Sequence, residues 1–206
     1  MIMRIVVSFI FLAFISIAQA QLSGGLMFPG PGAGSSAVSP IGTPTSIGST
    51  VSASANSTTC VITTTAAIVA GNLVVVGIQI PSNALRTVSS VSDGTNSYSL
   101  AVAINDGSFF NNELWYKENA SAVGSGASLT VTFNAATTGG NGYGCEAAQV
   151  SGVISAASLD KIASQNTTTS TPSVTTATLS TANEIAFGVS MQDSGTTTYS
   201  EASGFN

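Results

Sequence analysis

The chain has 206 residues with 4 basic side chains, 9 acidic ones and no histidine, so 6% of it is charged against about a quarter of an ordinary soluble domain. That composition excludes Ser-His and Cys-His nucleophile pairs, imidazole metal ligands and a histidine pH switch. Serine and threonine fill the polar positions instead.

Met1–Arg4 carries one positive charge, Ile5–Ile17 is apolar except for Ser8 and Ser16, and Ala18-Gln19-Ala20 is a small-residue cleavage site. This is the pattern of a secretory signal peptide over residues 1–20. The apolar run is shorter than the ~20 residues of a membrane span, and glycine and proline follow it in place of a basic flank. Cleavage would leave Gln21 first and place three basic residues, Arg86, Lys117 and Lys161, against nine acids. Such a chain cannot neutralise a phosphate backbone or an anionic lipid surface. No nucleic-acid partner and no membrane span in the mature chain is expected.

Residues 21–45 read as a flexible Gly/Pro/Ser tether, with PGPGAGSSAVSP at 29–40 offering too few apolar groups to offset ordering entropy. Apolar alternation begins near Val51, and 46–206 reads as a single domain large enough to bury a core. Cys60 and Cys145 are the only cysteines. In an exported chain they are expected to pair, and without histidine they cannot make a four-ligand zinc site.

The strongest strand is Gly71–Ile80, where Val74, Val76, Ile78 and Ile80 share one face while Leu73 and Val75 make the other apolar. That predicts a central strand. Asp93-Gly94-Thr95-Asn96 lies between Val88–Ser92 and Ser97–Ala103 and predicts a hairpin, because Asp-Gly tolerates positive φ. Tyr98, Leu100, Val102 and Ile104 alternate next, then Leu129, Val131 and Phe133, then Ile185, Phe187, Val189 and Met191. Glycine-rich stretches at 124–126, 139–142 and 193–195 mark loops. The chain stops at Ser203–Asn206 after a turn-like stretch, so the domain is expected to be incomplete at its C-terminus.

About nine or ten short strands at roughly 10–15-residue spacing, with no helical stripe beyond the leader, predict an all-β fold. The expected architecture is an antiparallel two-sheet β-sandwich, immunoglobulin-like or jelly-roll. The strings GNLVVVGIQI, VSSVSDGTNSYSLAVA, ELWYKENA, SLTVTF, AQVSGV and SLDKIAS occur in this order. Together, over about Ala66 to Phe205, the chain resembles uncharacterised secreted bacterial and phage-associated β-sandwich modules. It departs from their pattern at Asn72, at the permuted 93–96 turn and at Gln149-Val150. The resemblance implies fold and export and transfers no catalytic residue.

Candidate chemistry is sparse. Phe109 and Phe110 in the loop Ile104–Glu113 are flanked by Asn105, Asp106, Asn111, Asn112 and Glu113. Aromatic faces beside amides suit a neutral glycan, and Trp115, on a face shared with Glu113 and Lys117, could extend the platform. The bland alternatives are a phenylalanine turned inward and a solvated Glu–Lys face. The candidate ligand-binding set is therefore Phe109, Phe110, Asn111, Asn112, Glu113 and Trp115. The loop's spacing matches no EF-hand, so neither a metal nor a cofactor is assigned. Glu113 and Glu118 stand at an odd offset and should not converge as a glycosidase pair. Glu146 reads as an outward strand residue, and Asp93 with Asn96 as turn-closing side chains. Asn56, Asn119 and Asn166 begin N-x-S/T sequons.

These features predict an exported, non-enzymatic β-sandwich with a structural or adhesive role at the cell surface or outside it. Its expected partners are glycans and cell-surface or matrix components. The alternatives are a secreted carbohydrate-active enzyme or its accessory module, and a self-assembling fibre or matrix subunit.

Overall fold

The computed structural model describes residues 8–16, 41–52, 56–82, 84–138, 143–153, 155–167, 174–180 and 184–192. In chain order the described strands are β1 (Ser8–Ser16), β2 (Thr45–Ser52), β3 (Thr59–Thr63), β4 (Leu73–Pro81), β5 (Val88–Ser92) and β6 (Ser99–Asn105). They continue with β7 (Phe110–Lys117), β8 (Ser128–Phe133), β9 (Tyr143–Val150), β10 (Leu159–Thr167), β11 (Glu184–Phe187) and β12 (Ser190–Gln192).

Strand β4 organises the molecule. It sits third in a five-stranded antiparallel sheet of order β2-β9-β4-β7-β6, so both of its edges are hydrogen-bonded. Val74, Val76, Ile78 and Ile80 are fully buried on one face, and Leu73 and Val75 are buried on the other. A strand buried on both sides needs the near-continuous apolar run that the sequence shows there. A second antiparallel sheet, β3-β8-β5, covers the first face. In its middle strand, β8, Leu129, Val131 and Phe133 point inward and Ser128, Thr130 and Thr132 are more exposed. The two sheets make the expected β-sandwich, and burying each large aliphatic side chain between them contributes about 1.5–3 kcal/mol.

The Cys60–Cys145 disulfide joins the sheets across this core, from β3 to β9, with a Cα–Cα distance of 6.6 Å and a sequence separation of 85. At one edge β2 carries an irregularity between Ser46 and Gly48. Gly48 has φ 142°, and a Cβ there would come within 2.7 Å of Ile62 Cγ2 and 2.9 Å of the Thr63 carbonyl oxygen. Glycine is the residue that lets the edge pass this close to β3.

The outer face of the five-stranded sheet is apolar too. Leu73, Val75, Ala101, Val102, Leu114 and Val150 form a second cluster, with Leu159, Ile185 and Phe187 packed against it. These last residues belong to a third sheet of order β10-β1-β11, in which β12 also pairs with β1. Residues 8–16, within the stretch read as a leader, thus form a strand between β10 and β11/β12.

Three local expectations are corrected. The Asp93–Asn96 turn does not join a hairpin, because β5 lies in the three-stranded sheet and β6 in the five-stranded one. One bridge, Ser92 to Ser97, and two backbone hydrogen bonds, from the Asp93 N–H to the Asn96 carbonyl at 3.3 Å and from the Tyr98 N–H to the Val91 carbonyl at 3.1 Å, precede the crossing. The alternation of Tyr98, Leu100, Val102 and Ile104 breaks at a bulge between Leu100 and Val102. The bulge leaves Leu100 exposed and buries Ala101 beside Val102. The 185–191 alternation is split into β11 and β12, with Gly188 and Val189 between them. Of the tether read over 21–45, residues 21–40 lie outside the described residues, as do the 139–142 loop and the 193–206 tail; Ile41 packs against the second cluster, the Gly42 N–H reaches the Ser151 carbonyl at 3.0 Å, and pairing in the domain begins at Thr45, before Val51.

Candidate functional site

The loop singled out in the sequence is the tip of the β6–β7 hairpin. One Asp106 carboxyl oxygen accepts the backbone N–H groups of Ser108, Phe109 and Phe110 at 2.8, 2.7 and 3.0 Å, and the Asp106 N–H reaches the Phe110 carbonyl. Asn105 closes its own turn onto the Gly107 N–H. The tip is therefore preorganised, and it presents Phe109 with 48% of its surface exposed. Phe110 is half-buried against the second cluster.

Beyond the tip the candidate set turns inward. Asn111 and Asn112 are fully buried, Glu113 is 2% exposed and Trp115 is 9% exposed. Register explains this. Asn111, Glu113 and Trp115 stand opposite Ile80, Ile78 and Val76 of β4, so they share the face that looks into the sandwich. The expected solvated Glu113–Lys117 face is not found: Glu113 is interior. Its carboxyl oxygens accept the Val88 backbone N–H at 2.8 Å, Asn111 Nδ2 at 2.6 Å and Trp115 Nε1 at 2.7 Å. Because Val88 begins β5, one carboxyl group links the two sheets. Of the predicted binding set, only Phe109 presents an exposed ring.

Three further acids hold turns and loops. Asp93 accepts the N–H groups of Thr95 and Asn96, the Asn96 side chain and the Tyr98 hydroxyl. Asn96 in turn exchanges two hydrogen bonds with the Ser121 backbone, at 2.8 and 3.0 Å, and this anchors the corner where the chain changes sheets. Glu118 accepts the Ser158 N–H, and Asp160 accepts the Ser180 N–H while paired with Lys161. Gln149, buried on β9, accepts from the Val69 N–H and from Asn72 Nδ2 and donates to the Ala67 carbonyl. Asn72 and Gln149 are thus bonded to each other.

These contacts set the acid response. Burial pushes the Asp93 carboxyl upward, but hydrogen bonds from Asn96, Thr95 and Tyr98 outweigh it and hold the group below the ordinary carboxylate range. Burial opposes, and backbone donors likewise outweigh it, at Asp106 and Glu118. Burial and then the Asp93 charge push Tyr98 strongly upward. A carboxyl group depressed in the folded state contributes stability that is complete above its unfolded pKa and lost as pH falls through its folded one. The urea midpoint should therefore be flat at neutral pH and fall below about pH 4. Asp93→Asn should flatten the part of that fall due to Asp93, and equilibrium unfolding at a series of pH values checks both.

A groove of about 480 Å³ opens on the outer face of the five-stranded sheet, a volume in the range of small-molecule sites. Sequence reasoning missed it. Its walls include Val75, Gly77, Leu114 and Ala148, Phe187 and Val189 close it from β11 and the residue after Gly188, and Glu146 is the one acid among its described lining residues. Glu146 is opposite Gly77 on β4 and Ser49 on β2. That small-residue flank was the one legible trace of the depression.

The chain matches no known protein family, no curated protein and no solved structure. Among the described residues no three His, Cys, Asp or Glu side chains form a group able to hold a metal ion, and no helix is long and apolar enough to cross a membrane. The three sequon asparagines, Asn56, Asn119 and Asn166, are exposed.

Proposed function

We propose that this chain is an exported, non-enzymatic β-sandwich module that works at the cell surface or outside the cell in a structural or adhesive role. Its contact point is the preorganised β6–β7 tip, and a neutral glycan is the ligand class that an exposed Phe109 ring suits. The observation that carries the reading is what the acids do. Asp93, Asp106, Glu113, Glu118 and Asp160, five of the nine in the chain, each accept at least one backbone N–H. A carboxyl group occupied in this way holds a turn, a loop or two sheets in place, which supports a structural role for these five acids. The interior disulfide supports an oxidising location, in line with the leader pattern and the resemblance to secreted modules.

A glycan array probed with the mature protein tests the reading. Loss of a stacking ring costs about 0.5–1.5 kcal/mol, so Phe109→Ala should weaken any glycan bound by about two- to tenfold and leave the thermal midpoint unchanged. Glycan binding unaffected by Phe109→Ala would remove the tip as the contact. Substrate turnover abolished by replacing one acid would overturn the non-enzymatic reading.

A further inference from the structure

One described carboxylate holds nothing. Asp93, Asp106, Glu113, Glu118 and Asp160 each accept a backbone N–H, whereas Glu146 makes no hydrogen bond or ion pair with any described residue. It is exposed, and it lines the groove on the outer face of the five-stranded sheet.

The sequence of β9 places it there. Gly144, Glu146 and Ala148 share the outward parity and stand opposite Gln79, Gly77 and Val75 of β4. On its other side Glu146 faces Ser49 of β2. Side chains directly opposite on neighbouring strands are the ones that touch, and a glycine and a serine are too short to cover a carboxylate. A Cβ built at Gly77 would lie 3.6 Å from Val189 Cβ and Cγ2, an ordinary contact. The missing side chain therefore leaves a gap of about one methyl group between the sheet and the Val189 wall. Beside it the floor is apolar, with Val75 and Leu114 both buried in the second cluster.

No described basic residue lines this groove. Arg86 Nε donates to the Ala136 carbonyl, and Lys161 is paired with Asp160. Lys117 stands opposite Val74, whose side chain looks into the sandwich, so it belongs to the other face of the sheet. The charge on Glu146 is thus left without a counterion from the described chain, next to an apolar surface. The ligand that satisfies both features is a cation that brings apolar surface of its own. Attraction to the carboxylate strengthens where water is displaced, and the floor gains from burial of the ligand's apolar part.

We propose that this groove binds a small organic ammonium ion, with its charged head on Glu146 and its apolar body over Val75, Gly77 and Leu114. The volume of about 480 Å³ accommodates such a molecule. The site shares no residue with the Phe109 tip and goes beyond the adhesive reading. Its floor and its acid are carried by β2, β9, β4 and β7, which pair with one another. Among the described residues β11 pairs with β1 alone, so the Phe187 wall belongs to the chain that keeps residues 8–16, and the test uses that chain.

The purified full chain is titrated with phenethylammonium while its backbone amide NMR signals are followed. Phenethyl alcohol and phenylpropanoate serve as the neutral and anionic counterparts. Saturable shifts are expected at Gly77, Glu146 and Ala148, with a Kd of about 10 mM or tighter, which a ligand of this size reaches at ordinary ligand efficiency. The ammonium should bind more tightly than the alcohol, and the alcohol more tightly than the anion. Glu146→Gln should weaken the ammonium by about two- to fivefold, the range of an exposed ion pair, and leave the alcohol unchanged. Gly77→Ala fills the gap against Val189 without a clash and should weaken both ligands. Equal binding of ammonium and alcohol, or ammonium binding indifferent to Glu146→Gln, overturns the proposal. Shifts centred on Phe109 assign the ligand to the tip and overturn it as well, as does the absence of any saturable shift at about 10 mM.

Discussion

Replacing both cysteines, Cys60→Ala with Cys145→Ala, should lower the unfolding free energy by about 4.5 kcal/mol. The two residues are 85 apart, and closing a loop of that size removes about this much denatured-state freedom in the chain-entropy model. For a domain of this size the loss corresponds to a fall of about 10–18 °C in the melting temperature. Because the bridge joins β3 to β9, its loss also frees the two sheets to separate. Calorimetry of the wild-type protein with and without reductant should reproduce the difference, since Cys60 and Cys145 are otherwise buried among Ile62, Val131 and Ala147. An unchanged midpoint once both thiols titrate would show that the bridge contributes nothing to stability.

The second large effect belongs to Glu113. Glu113→Ala removes the acceptor for Val88 N–H, Asn111 Nδ2 and Trp115 Nε1, all inside the sandwich. Three buried donors left without that partner should cost about 3–5 kcal/mol. Glu113→Gln keeps one acceptor oxygen and brings two donors of its own toward groups that already donate, so about 1–3 kcal/mol is expected. Phe109→Ala, at the exposed tip, should stay within about 0.5 kcal/mol. Urea unfolding checks that the loss is largest for Glu113→Ala, smaller for Glu113→Gln and smallest for Phe109→Ala. A Glu113→Ala protein as stable as the wild type would show that the carboxyl group does not join the sheets.

Much of the fold could be read from local pattern. A strand buried on both faces leaves an uninterrupted aliphatic run, and 73–80 has one; a strand buried on one face leaves alternation, and 129–133 has it. Asp93 and Asn96 announced a turn, because short polar side chains reach backbone N–H groups within three residues. The same local chemistry could not say that the turn changes sheets, since that depends on the anchorage of Asn96 to Ser121, 25 residues on. The candidate site was less legible. Asn111, Glu113 and Trp115 are polar or amphipathic residues that read as surface, yet the face they occupy was set by Ile80, Ile78 and Val76 on the neighbouring strand.

Composition and short-range periodicity were enough to establish an acidic, histidine-free chain and to predict its all-β fold, because charge count and side-chain alternation are properties of single segments; the Cys60–Cys145 bridge, expected from export, is placed by the fold. Which acid becomes a cross-link, which aromatic stays in water and where a groove opens depended on strand register. Register is a relation between segments as far apart as Ile78 and Glu113, and a slip of one residue would exchange every inward side chain for an outward one.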